Sequence, residues 1–184
     1  MDKFLHIICL DIPAPPDYGG AVDMYYKLKA LHQQGVRITL HCFQYGKRKP
    51  AAVLESFAEQ VHYYPRLTGW RGLDTTLPYI VSSRRSEELL KHLLRDDHPI
   101  LFEGVHTTLF AGHPSLSYRL KFLRTHNVEA DYYRQLVTQT SDYLKRTYFT
   151  WEALRLKPYE ESLPAFDHFL HISAGEEAYF SKHY

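Results

Sequence analysis

Between Phe4 and Gly35 the chain reads FLHIICLDIPAPPDYGGAVDMYYKLKALHQQG, and Val36 to Phe43 continues as VRITLHCF. Few folds accommodate that order. Apolar residues crowd Phe4 to Leu10, interrupted by His6, as expected of a strand covered on both faces. A proline-stiffened loop then closes on Gly19-Gly20. Val22, Tyr25, Leu28 and Leu31 recur at helical spacing, while Asp23, Lys27 and Lys29 fall elsewhere on the same helix. Gly35 supplies a left-handed stop. Val36, Ile38, Leu40 and Cys42 alternate on one face of a second strand. Strand, helix and strand make a right-handed crossover unit with parallel strands.

The same alternation continues. Ala51 to Gln60 is expected to form a short helix before a third strand at Val61 to Tyr64. Arg66 to Pro78 (RLTGWRGLDTTLP) has no period and reads as a long surface loop, with Trp70 either a docking surface or a plug on the core. Ser83 is the expected cap of a helix buried through Leu89, Leu90, Leu93 and Leu94, with Glu87 and Glu88 in its first turns. Pro99 to Val105 is a fourth strand and Leu120 to Arg124 a fifth. Asn127 caps a long helical region reaching about Leu156, with Glu129 in its first turn, and Pro158 breaks or kinks it. Phe166 to Ile172 is a sixth strand, and Ser173 with Glu176 makes a capping box for the last helix. The pattern predicts one α/β domain over residues 1–184, a doubly wound, mostly parallel, Rossmann-like sheet in three layers.

Composition narrows the function classes. With 184 residues, 45% hydrophobic and 15% aromatic, the chain can bury a core, and a formal charge of +1 argues against dependence on a nucleic-acid phosphate field. No apolar run approaches membrane-spanning length, and MDKFLHIICL enters a strand too soon for a signal peptide. Cys9 and Cys42 fall in buried strands and read as core thiols in a reducing cytosol. The final helix reaches Tyr184 as though another domain would begin there.

In an open parallel sheet, ligands bind beyond the carboxyl ends of the strands, where strand order reverses. Asp17 to Gly20, His106 to Thr108 and His126 to Glu129 each follow an apolar strand and would gather at that rim. A glycine pair opening a helix brings backbone N–H groups and the helix dipole toward an anion such as a diphosphate. The alternative is a tight turn that needs two flexible residues. The first loop does not match G-x-G-x-x-G, and the second strand ends in Phe43-Gln44 without the acid a nicotinamide enzyme uses. Neither G-x-x-x-x-G-K-[ST] nor G-x-S-x-G occurs. No histidine pair at helical spacing and no C-x-x-C pair marks a metal site, and His168 and His171 fall on opposite faces of a strand. No metal and no resident cofactor are expected.

P-x-P-x-x-x-GG before a helix and a G-V-x-I-T strand resembles the opening of a GT-B glycosyltransferase, in the large retaining family that includes sucrose synthase and mannosyltransferases. FEGVHTT, RTHNVEADYYRQL and KPYEESLPAFDHFLHIS continue the likeness in the same order along nearly the whole chain. The resemblance implies an amino-terminal, acceptor-side domain whose partner, a second domain gripping the nucleotide-sugar, is not in these residues. It implies that Gly19 and Gly20 admit the donor diphosphate, and that His106 orients the transferred sugar. Thr107, His126, Asn127, Glu129, Asp17 and Trp70 become candidate substrate contacts. Capping alone would also explain Asn127 and Glu129, and a turn role would explain His106. Glu160 reads as support for helix packing. The implied partners are a nucleotide-sugar donor and a hydroxyl acceptor on a sugar or lipid-linked sugar, in the cytoplasm or on a membrane's inner face. A sugar-nucleotide epimerase and a non-catalytic binding domain remain the rival readings.

Overall fold

The computed structural model describes residues 3–164 and 166–184; Met1 and Asp2 of the predicted leaderless start, and Ala165 within the KPYEESLPAFDHFLHIS stretch, lie outside them. Six parallel strands form one sheet in the order β3-β2-β1-β4-β5-β6. They are β1 (Lys3–Cys9), β2 (Val36–Gln44), β3 (Gln60–Pro65), β4 (Ile100–Glu103), β5 (Lys121–Arg124) and β6 (His168–Leu170). Helices α1 (Gly19–Gln33), α2 (Tyr79–Ser82), α3 (Glu87–Leu93), α4 (Glu129–Gln139), α5 (Tyr143–Glu160) and α6 (Ala174–Phe180) pack around it. The order reverses between β1 and β4, which places the switch point where the sequence pattern requires it.

Alternation along the strands builds a core on each face. Ile7, Cys9, Ile38, Leu40 and Cys42 pack with Met24 and Leu28 of α1. Ile8, Phe43, Tyr64, Phe102 and Leu123 face the opposite way, against Leu89 and Leu93 of α3 and Leu156 of α5. Cys9 and Cys42 are buried and unlinked, and the neighbouring Cys42 together with burial pushes the Cys9 thiol well up.

Several local expectations are corrected. The buried stripe of α1 is Ala21, Met24 and Leu28, while Val22 is exposed and borders an apolar groove of about 720 Å3 beside Leu101, Phe122 and Leu170. Ser86, not Ser83, caps α3 by accepting from Leu89 N–H, because Tyr79–Ser82 already forms a short helix that Ser83 ends. Leu94, expected in the buried stripe of α3, is exposed beyond its last turn. The 51–60 segment makes only a 3-10 turn, Ala52–Ser56. Pro158 does not break α5: it lies exposed in the last turn, and the carbonyl it deprives belongs to Leu154, itself solvent-facing. The break falls earlier, where Asp142 caps α5 and separates it from α4. Ser173 and Glu176 do form the expected cap, with Glu176 also accepting from Ile172 N–H.

Trp70 is no plug. It is 80% exposed on a 3-10 turn of the 66–78 loop. Trp70→Ala is therefore expected to change the unfolding free energy by no more than about 0.5 kcal/mol in urea denaturation; a loss above about 1.5 kcal/mol would restore the plug.

Candidate functional site

The strand ends deliver the three predicted corners to one place. A cleft of about 500 Å3 at the switch point is lined by Gly19, Gly20, His106, His126, Asn127 and Glu129, among others. Gly19 and Gly20 are the first residues of α1, and neither has a left-handed backbone, so the turn itself does not require glycine. A Cβ on Gly19 would meet nothing within 4 Å. Tyr18 precedes the helix without a side-chain cap, and the first backbone bond at this end is donated by Val22. Among the described residues the N–H groups of Gly19 and Gly20, which line the cleft, donate no hydrogen bond.

The other helix starts that border this region are closed. Glu160, from the end of α5, accepts from the N–H groups of Glu129 and Ala130 at 2.6 and 3.1 Å. Glu152, two turns earlier on the same helix, accepts from Tyr79 and Ile80 at 2.9 and 2.7 Å. Asn127 is accordingly not the cap of α4: Val128 occupies that position without a side-chain bond, and Asn127 instead donates to Glu129 at 3.5 Å. A buried carboxylate thirty residues away does the capping, which no local signal reveals.

Behind the cleft a charged cluster fixes His126. Its Nε2 lies 3.0 Å from Glu103, and its Nδ1 has no hydrogen bond among the described residues. Lys27 reaches both Glu103 oxygens at 2.8 Å and Asp23 at 2.7 Å, and Arg124 adds a bond to Asp23 at 2.9 Å. Burial opposes ionisation of Asp23, but these two cations hold its carboxyl down at about 2. Asp23, Glu103 and His126 offer ligand atoms within 4.8 Å of one another, yet the Lys27 ammonium already stands among them as the balancing cation. A second such group, His6, Asp96 and His98, sits at the opposite end of the sheet beside Arg119.

His106 follows Gly104, whose φ of +77° requires glycine and whose Cβ would come within 3.1 Å of His106 Nδ1. That Nδ1 is buried without a hydrogen-bond partner among the described residues, 3.9 Å from Glu129. Burial, then Arg84, Arg66 and His126, push the ring well below the usual histidine range, so it is neutral at pH 7. Burial and the adjacent Glu160 raise Glu129 to about 8. A neutral imidazole and a protonated carboxyl thus face the cleft, both able to hydrogen-bond a ligand without adding charge.

The remaining candidates sit elsewhere. Asp17 is exposed and pairs with Arg48, which also holds the carbonyls of Ile12 and Pro15 at 2.8 and 2.9 Å, so it staples the proline loop. Thr107 is buried, its hydroxyl donating to Gly104 O at 3.0 Å, which is a turn contact. Trp70 does not line the cleft. Sequence reasoning missed Lys27, Glu103 and Gly104. An acid ending an apolar strand just before a glycine was the available signal.

No family model matches the chain, and no solved structure matches it. The chain is similar, at 27% identity over 177 residues, to an uncharacterized 44.6 kDa protein in the cps region of Klebsiella pneumoniae. That alignment covers 92% of this chain and 45% of the relative, so the chain spans less than half of that protein's length.

Proposed function

We propose that this chain is the acceptor-side domain of a retaining GT-B glycosyltransferase, which moves a sugar from a nucleotide-diphosphate donor to a hydroxyl. The observation that carries the reading is the meeting of Gly19-Gly20, His106 and the His126–Glu129 corner around one cleft at the switch point. The open start of α1 suits a diphosphate, while neighbouring helix starts are already occupied by glutamates. The resemblance along the chain and a relative named for a cps (capsule) region fit carbohydrate assembly.

In this reading the diphosphate lies against the N–H groups of α1, with most of the rate coming from stabilisation of the leaving diphosphate. His106 hydrogen-bonds the donor sugar as a neutral ring. A second, donor-gripping domain completes the site, and the work takes place in the cytoplasm or at a membrane's inner face. No helix among the described residues is long and apolar enough to cross a membrane.

The test uses the longer protein that carries this domain, assayed for sugar transfer with the product's anomeric configuration read by NMR. In a helix, Cβ tilts toward the N-terminus, so a Cβ at Gly19 projects in front of α1 and meets nothing within 4 Å. Gly19→Val should reduce transfer at least about a hundredfold and His106→Ala by about 10² to 10³, both with unchanged circular dichroism. The 184-residue chain alone should transfer nothing. Transfer surviving both substitutions, or tight NAD on this domain alone, would replace the transferase by an epimerase-like or binding role.

A further inference from the structure

Beside the cleft lies a second cavity of about 570 Å3, and the two share Leu10, Tyr18 and His106. Its walls are aromatic, with Tyr45, Tyr79, Tyr133, Tyr148 and Phe149 on the lining. Two arginines reach it. The Arg66 guanidinium lies 4.3 Å from the Tyr45 ring centre and 5.5 Å from that of Tyr79. Its Nε donates to Ser83 at 2.9 Å, and its terminal nitrogens have no hydrogen bond among the described residues. Arg84 is 3% exposed, with Nε donating to Leu10 O at 2.9 Å and Nη1 to Ile80 O at 2.5 Å, while Nη2 has no hydrogen bond among the described residues.

The lining has no free anion to match them. Asp11 is its acid, and it is engaged by Ile12 N–H at 2.8 Å and by Arg48 at 3.3 Å. Glu152 sits behind the wall, spent on two backbone N–H groups. Two guanidinium groups therefore face an aromatic-walled space with unused donors. These donors keep access to the cavity, and an oxyanion there would meet them with charge-assisted hydrogen bonds.

We propose that this cavity holds the acceptor saccharide by an anionic group, a carboxylate or phosphate carried on the sugar, gripped by Arg66 and Arg84. The word acceptor rests on the transferase reading; the grip rests on the arginines. A planar guanidinium matches the two oxygens of either anion, and the tyrosine faces suit a sugar ring. Because His106 borders both spaces, an acceptor seated here points its hydroxyl toward the donor side.

The test is a titration of the 15N-labelled 184-residue chain, followed by amide shifts, with methyl glucuronide, glucose 1-phosphate and methyl glucoside. At least one anionic probe should bind about tenfold or more tightly than the neutral glucoside, shifting amides around Arg66, Tyr79 and Arg84. The tighter of the two anions identifies carboxylate or phosphate as the natural group. Arg66→Gln should bring that probe to the glucoside level, and Arg66→Lys, which keeps the charge but not the fork, should recover only part. Equal binding of all three probes, shifts confined to residues 19–21, or an unchanged Kd in Arg66→Gln would overturn the proposal. Loss of transfer in the longer protein leaves this result standing, and loss of anion binding leaves transfer standing, so the two readings fail separately.

Discussion

Glu160→Ala is expected to lower the unfolding free energy by about 3 kcal/mol, because two buried N–H groups lose their acceptor at about 1–3 kcal/mol each. The affected donors, Glu129 and Ala130, open α4 at the edge of the cleft. Glu160→Gln keeps one acceptor oxygen and should lose about half as much. Burial raises the Glu160 carboxyl to about 7, and its proximity helps raise Glu129 to about 8, so the glutamine variant should also bring Glu129 down toward its usual value. Urea denaturation gives the first quantity and carboxyl NMR the second. A loss under about 1 kcal/mol in the alanine variant would mean that water caps α4 as well as Glu160 does.

Acidification should cost the fold more than alkalinisation, because of a hydrogen-bonded histidine chain inside the sheet. His6 Nε2 meets Asp96 at 3.0 Å, and His6 Nδ1 meets His41 Nε2 at 2.8 Å. His41 Nδ1 meets the Tyr64 hydroxyl at 2.8 Å, which meets His92 Nδ1 at 2.6 Å. Neutral rings satisfy every contact: His92 donates to Tyr64, Tyr64 to His41, His41 to His6, and His6 to Asp96. Burial holds His6 below its usual value despite Asp96, and holds His41 well below. His62, His92 and His106 are lowered too, again through burial first.

A ring whose folded pKa is depressed stabilises the protein above the unfolded value, about 6.5, and loses that contribution as pH falls through the folded value. Glu129 and Glu160 have the opposite sign: their contribution is complete below the usual 4.5 and is lost as pH rises through about 7 to 8. Asp11 and Glu152, also raised by burial, act with them. Thermal stability should therefore peak near about pH 6.5: above it the acids alone weaken the fold, and below it the rings' loss, about 1.4 kcal/mol per unit of depression for His6, His41 and His106, is partly offset by the acids' gain. Melting curves from pH 4.5 to 8.5, with histidine ring NMR, check this. Ordinary titration of His41 in the folded protein would refute it.

The fold was legible because periodicity is local and strong. Apolar alternation and glycine stops marked the strands, and the crossover rule then placed the three polar corners together. The failures share a cause: they turn on partners distant in sequence. Asn127 has the chemistry of a cap, but Glu160 arrives first. Val22 has the hydrophobicity of a core residue, but the sheet face beside it carries a groove. His6, His41 and His92, far apart in sequence, form one hydrogen-bonded chain in which Tyr64 links His41 to His92, and no local pattern announced it. The arginines of the second cavity gave no pattern at all, since Arg66 and Arg84 belong to different segments brought together only by packing.

Glu152 and Glu160 lie eight residues apart on α5, a rise of about 12 Å. Through them a single rod is bolted to α2, which walls one chamber, and to α4, which rims the other. Both rims thus take their position from one helix, so a substitution that displaces α5 is expected to disturb the two chambers together.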